Sequence, residues 1–298
     1  MKLMVKYAAK QIAQSFCMDQ VVLYYNSQSL QNFDSDNYNV FKWYNVTRYE
    51  GYAKKYPLVV KSKKMKARIT WDNHVGHYLA REDGEPWRVS IISTQVTLYR
   101  YYLKCHTTRY RTDFPTAGIE SLLVFFVYRL DAYAERSHEE NYLLSTYSVA
   151  YETERGICFT PKKFASSSKT SIRIHGVDND IGHQEFSDWG KIADPTKLGL
   201  WNVIGVHWDV RPGHTSSVWI NYGKDYKGGR MFTFKAAAAK EGSWIMIGNT
   251  DSRFSGGALD GALTNIEVYD SKLVDDHVIA ARMWYLSEYY NIEDTIYK

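Results

Sequence analysis

Apolar and polar positions change rhythm several times along the chain, and each change marks an element. Residues 1–18 carry Leu3, Tyr7 and Ile12 at loose spacing, so residues 1–20 read as an N-terminal arm or short helix. From Val21 onward the pattern becomes short extended runs. Residues 122–130, LLVFFVYRL, are almost continuously apolar and aromatic, which suits a strand buried on both faces. Residues 201–210, WNVIGVHWDV, alternate Val203, Gly205 and His207 against Ile204, Val206 and Trp208. Arg211-Pro212-Gly213-His214 then breaks the run as a turn. Further short strands are expected at 142–151, 171–175, 217–222, 231–234, 244–247 and 259–269. Near the end the period becomes helical. Ile279, Met283, Leu286 and Tyr290 recur at steps of four, three and four, one face of a helix over 275–290. Asp275 or Asp276 can cap its exposed amides.

Many short strands with turn residues between them predict an all-β fold, an antiparallel β-sandwich with a C-terminal α-helix packed on it. No alternation of strand and helix supports a doubly wound sheet. At 298 residues and 45% hydrophobic, the chain can bury one large core without staples. The 25 Tyr favour strands and also suit binding surfaces.

The net charge of +4 is too small to argue for a nucleic-acid partner. Its distribution says more. Nine basic residues and only Glu50 lie between Lys42 and Arg68, whereas nine acids and four bases lie between Asp251 and Lys298. Both stretches can be solvated faces. They can also meet across a subunit contact, with Lys61, Lys63, Lys64 and Lys66 as an assembly or anion patch. Tyr99–Tyr102 with Lys104, Arg109 and Arg111 interleaves bases and aromatics, as single-strand binders do. No RRM, KH or OB signature accompanies them, so nucleic acid is disfavoured. Cys17, Cys105 and Cys158 are odd in number and lack CxxC spacing, which argues against a disulfide framework and a Cys-rich zinc site. Lys6, Lys10, Gln11 and Gln14 interrupt any signal-peptide core, and no apolar stretch of membrane-spanning length exists. These features point to a virion-associated or intracellular setting ahead of classical secretion.

Residues 198–222 contain LGLWNVIGVHWDV followed by VWINYGK. The close reads WIMIGNTDSRFSGGALDGALTNIEVYDSKLVDDHVIAARMWYLSEYYNI. This order resembles the laminin-G-like or concanavalin A-like jelly-roll family: a strand with Trp, a strand ending near Asn-Gly, an Ile-Gly strand, and a long strand leading into a helix ending Tyr-Leu. Here those elements are Trp201, Asn221 to Gly223, Ile247-Gly248, Gly261 to Asp270, and Tyr285-Leu286. Asn221-Tyr222-Gly223 departs from the family's direct Asn-Gly. The resemblance makes residues 21–298 one domain, with an insertion near 73–118. It implies glycan binding or adhesion by analogy, since one fold hosts many functions.

Polysaccharide-cutting members of that fold resemble one another in an E-x-D-x-x-E strand, and no such spacing occurs here. Catalytic serine, metalloprotease and phosphate-loop motifs are also missing. The chain therefore reads as non-catalytic. Asp178-Asn179-Asp180-Ile181-Gly182 offers several oxygens on one loop. Asp178 and Asp180 can join a calcium site, or the segment can be a plain turn stabilised by its own side chains. His74 and His77 share a metal only if a turn brings them together, because residues three apart on a strand diverge. Trp71, Trp87 and Trp189 lie in or beside polar stretches where a ring can stack on a pyranose. Trp189 with Asp188, His183 and Asp178 is the leading ligand-binding group, and packing is the competing role for this Trp. Trp201, Trp208, Trp219 and Trp244 read as core. The expected function is lectin-like recognition of a glycan or cell surface. A structural subunit of a large self-associating assembly, such as a virus particle or appendage, is the alternative, and an enzyme acting on polysaccharide is a weaker one.

Overall fold

The computed structural model describes residues 21–27, 30–36, 39–47, 51–60, 66–81, 89–106, 110–116, 118–133, 140–146, 155–162, 165–166, 168–188, 194–221, 230–238, 245–248, 259–270, 276–290 and 292. Within them the strands are β1 (Val21–Asn26), β2 (Phe33–Asp36), β3 (Asn39–Trp43), β4 (Leu58–Val60), β5 (Lys66–Arg81), β6 (Val89–His106), β7 (Tyr110–Thr112), β8 (Ser121–Ala132) and β9 (Asn141–Thr146). The later strands are β10 (Gly156–Thr160), β11 (Ser171–His175), β12 (His183–Phe186), β13 (Trp201–Asp209), β14 (Ser216–Ile220), β15 (Arg230–Phe234), β16 (Ile245–Ile247) and β17 (Asp260–Asp270). One helix, α1 (Asp276–Tyr289), follows.

Every strand pairing is antiparallel, and the pairings build two sheets. In the back sheet β17 pairs with β8, β8 with β13, β13 with β14, and β14 with β15. The other edge of β17 is shared by β1 and the end of β6. The front sheet runs β2–β3–β4–β7–β16–β9–β10–β11–β12. Strand β5 pairs along β6 and meets β3 at Asn39 and Arg68, which joins the two layers. The stretch expected as an insertion holds most of this hairpin, and Trp71, His74 and His77 lie within β5 rather than on a loop. Residues 1–20, Trp87, Trp189, Trp244, Lys61, Lys63 and Lys64 fall outside the described residues, and Lys66 begins β5.

Period-two alternation decides which core each residue joins. Leu122, Val124, Phe126 and Tyr128 of β8 point between the sheets, with Ile204, Val206 and Trp208 of β13. Leu123, Phe125 and Val127 point the other way and pack with Trp201, Val203 and Trp219 against α1. The helix face expected from its spacing is buried there: Ile279, Met283, Leu286 and Tyr290 are all in this second core. Burial extends past that stripe to Val278, Ala281, Arg282 and Trp284. Gly205 permits the close approach. A Cβ there would stand 2.8 Å from the Phe125 ring and 3.1 Å from Met283 Sδ. No described helix is long and apolar enough to cross a membrane.

Two buried asparagines tie loops to this frame. Asn45, in a glycosylation sequon, accepts from Tyr24 N at 2.8 Å and donates to Val22 O at 3.1 Å, so its amide is a structural clasp. Asn221 adopts φ 38°, a left-handed turn that asparagine tolerates. Its Oδ1 accepts from Val203 N at 2.8 Å and its Nδ2 donates to Asn202 at 2.7 Å.

Candidate functional site

The outward side of β10–β12 carries polar side chains, because the alternation that sends Ile157, Phe159, Ile172 and Ile174 into the core turns their neighbours away from it. Cys158, Arg173, His175, His183 and Glu185 are those neighbours, joined by Tyr142 of β9 and by Glu140 just before it. Cross-strand register brings them together: Cys158 lies opposite Arg173 and Tyr142, and His175 lies opposite His183.

Arg173 organises the group. Its guanidinium bonds Glu140 Oε1 and reaches Glu185 Oε2 at 3.5 Å. Ser166 Oγ donates to Glu185 at 2.9 Å, and Ser171 Oγ donates to its other oxygen. Burial pushes the Glu185 carboxyl up, but the two serine hydroxyls and the Arg173 charge outweigh it and leave the pKa below the usual carboxylate value. Deeper in, Cys158 Sγ donates to Glu140 Oε2 at 3.2 Å and lies 3.6 Å from His175 Nε2. The Tyr142 hydroxyl stands 3.4 Å from that nitrogen. Burial, with His183 and Arg173 adding to it, drives the His175 pKa down to about 3, so its imidazole is neutral. Gly156 faces this ring, and a Cβ there would lie 3.4 Å from His175 Cδ2.

The loop from β11 to β12 folds over the edge of this face. Gly176 and Gly182 take positive φ and close it through Gly176 N to Gly182 O at 3.0 Å. Asn179 shapes the turn, its Oδ1 accepting from Ile181 N at 3.2 Å and its Nδ2 donating to His183 O at 3.0 Å. Asp178 forms an ion pair with Lys235, beyond β15, and its amide donates to Lys235 O at 2.7 Å. Between loop and sheet lies an open depression of about 700 Å³, lined among others by Ser166, Arg173, Asp178, Asn179, His183 and Lys235. The exposed Ile181 side chain stands at its rim.

Of the side chains expected to bind ligand, Asp178 and His183 reach this depression. Asp188 is exposed after β12 and does not line it. Asp180 is exposed on the turn, and the Asp178 carboxylate already holds a lysine. Nothing in the sequence groups Glu140, Cys158 and His175. They stand 18 and 17 positions apart, and only the strand register unites them.

A second polar cluster has the residue types of a nucleophilic triad. Ser121 Oγ lies 2.9 Å from His207 Nε2, and Asp209 Oδ2 lies 3.8 Å from the same nitrogen. A proton relay needs hydroxyl and carboxylate on opposite ring nitrogens. Ser121 is also fully buried, so this cluster is a polar knot inside the fold.

No family model and no curated protein matches the chain. Among solved structures it is similar to the botulinum neurotoxin serotype D binding domain, at 10% identity and a TM-score of 0.46, over 93% of this chain and 53% of that one. It is similar to Trypanosoma rangeli sialidase in complex with sialic acid, at 11% identity and a TM-score of 0.48, over 93% of this chain and 33% of that one. It is also similar to domain 4 of an extracellular arabinanase from Geobacillus stearothermophilus in complex with arabinotriose, at 11% identity and a TM-score of 0.39, over 74% of this chain and 91% of that one. The chain spans about half the length of the neurotoxin domains. Likenesses of this size say nothing about the residues of the depression.

Proposed function

We propose that the protein is a non-catalytic, lectin-like recognition domain, a jelly roll of the laminin-G-like or concanavalin A-like kind, and that it binds glycan in the depression between the β11–β12 loop and the front sheet. The observation that carries this reading is the lining itself. Asp178 and Asn179 offer acceptors, Arg173, Asn179 and Lys235 offer donors, and Ile181 offers an apolar rim. Sugar hydroxyls each donate and accept, so alternating partners on one wall suit them, and the apolar rim suits a pyranose C–H face. The two acids near the wall are paired with Arg173, and Glu185 is kept ionised. A glycosidase acid needs the opposite, a carboxyl held protonated.

The test is a glycan array with the full chain, followed by calorimetric titration of the best ligand. Asp178→Ala and Lys235→Ala are each expected to weaken binding at least tenfold with melting temperature nearly unchanged. Trp189→Ala is expected to do the same if its ring stacks on the sugar. A native chain that binds no glycan, or rim variants that bind as well as native, overturns the reading.

A further inference from the structure

We propose that Glu140, Cys158 and His175 form a transition-metal site that takes zinc. This stands independently of the glycan reading, because none of the three donors lines the depression; Arg173 and His183, which do, contact Glu140 and His175. One ligand atom from each lies within 4.8 Å of the other two.

Two of the three donor separations are of zinc size. Zinc binds thiolate at about 2.3 Å and imidazole at about 2.0–2.1 Å, so tetrahedral geometry separates the two donors by about 3.6 Å. Cys158 Sγ and His175 Nε2 are 3.6 Å apart. Cys158 Sγ and Glu140 Oε2 are 3.2 Å apart, which closes that angle to roughly 95° for ligand bonds of zinc length. A mixed sulfur, nitrogen and oxygen set selects zinc over calcium or magnesium, which prefer oxygen alone.

The surroundings suit the charge. Arg173 holds Glu140 by Oε1, which leaves Oε2 turned to the thiol, the kind of outer contact that orients a ligating carboxylate. His175 presents Nε2 to the thiol. A divalent ion with the Cys158 thiolate, the Glu140 and Glu185 carboxylates and the Arg173 guanidinium closes at neutrality. Cys158 and His175 are 0% and 1% exposed, so an unbalanced charge there would be costly. Binding replaces the Cys158 thiol proton, which leaves to solvent, by the metal. The Tyr142 hydroxyl beside His175 Nε2, or a water, can complete the fourth position. Bound this way, the ion ties β9, β10 and β11 together.

The experiment uses the untagged full chain, stripped with chelator and titrated with zinc chloride, while melting temperature and cobalt(II) absorption are followed in parallel. One zinc per chain, a Kd in the micromolar range or tighter and a rise in melting temperature are expected. Cobalt should give a thiolate charge-transfer band that Cys105→Ser keeps and Cys158→Ser removes. Glu140 is partly exposed, so Glu140→Gln guards against a Cys158 variant that fails to fold, and it should weaken zinc at least tenfold. Calcium at the same concentration should not compete. Absence of saturable zinc binding, a cobalt band that survives Cys158→Ser, unchanged affinity in Glu140→Gln, or displacement by calcium each overturns the proposal.

Discussion

Strands β8 and β13 of the back sheet and strands β10 and β11 of the front sheet send the same kind of alternating aliphatic and aromatic residues into one shared core. They differ in what their second faces meet. Behind β8 and β13 lies α1, so Leu123, Phe125, Val127 and Val203 are buried a second time. On β10 and β11 the second face carries Cys158, Arg173 and His175, held by ion pairs and hydrogen bonds. A strand with two apolar faces is committed to stability, whereas one with a polar face can place chemistry beside a rigid core. The back sheet makes exceptions at the Ser121–His207–Asp209 cluster and at β17. Glu267 of β17 is fully buried and accepts from Arg282 Nε of α1 at 2.8 Å, from Tyr269 at 2.8 Å and from Asn265 at 3.0 Å. Burial pushes this carboxyl up, but Arg282 and its other donors pull it below the ordinary value.

That contrast breaks most sharply at Glu267. Glu267→Gln leaves Arg282 buried without its counter-charge and should cost about 3–5 kcal/mol in denaturant unfolding. Glu267→Leu with Arg282→Met should recover most of the loss, since matched apolar residues often replace a buried pair without penalty. A Gln variant as stable as native would show that the pair does not hold the helix down.

Met283→Ala should cost about 2–5 kcal/mol, because its side chain fills the gap between α1 and Gly205. Gly205→Ala alone should cost about 1–3 kcal/mol by overpacking against Phe125 and Met283. The double variant should cost less than the sum, since the shortened residue 283 makes room for the new methyl group. Strict additivity in that cycle would remove the claimed contact.

A pH series probes the same sheet. Burial lowers the His207 pKa to about 4, overcoming Asp209 and Asp276, which act to raise it, while Arg211 and His214 lower it further. The unfolded chain therefore binds the proton first, and stability should fall as pH drops from about 6.5 to about 4, by up to about 3 kcal/mol. His207→Gln should reduce this slope in urea titrations across that window, leaving the part that buried His175 contributes. An unchanged slope would assign the acid sensitivity elsewhere.

The smallest effect belongs to the front edge. Asp178 and Lys235 are both exposed, so Asp178→Ala should change stability by no more than about 1 kcal/mol while the glycan assay loses signal. A large loss of stability there would make the loop part of the frame rather than a binding rim.

Much of this contrast was legible in the chain before any fold. The LLVFFVYRL run declared a strand buried twice, and the four-three-four spacing around Met283 declared the helix face. Trp201, Trp208 and Trp219 were legible as core, and all three are buried. Asp178 and His183 were legible as neighbours because they stand five positions apart, and both line the depression. Glu267 gave no signal: its partner lies 15 residues away on another element, and an acid within a strand usually marks a solvent face. Cys158 read as an odd cysteine without a partner motif, and nothing along the chain tied Glu140 to it.

The sequence by itself determined the type of the strongly periodic elements, β8, β13 and α1, and which of their apolar residues enter the cores, since helix and strand periods are local and burial follows them directly. Only the tertiary structure decided which polar side chains meet, because register and strand order are set by the summed packing of distant segments. Moving a strand by one residue would turn His175 inward and Ile174 outward, and the core forbids it. The apolar face thus fixes the register, and the register places Cys158, His175 and Arg173 together without any local signal.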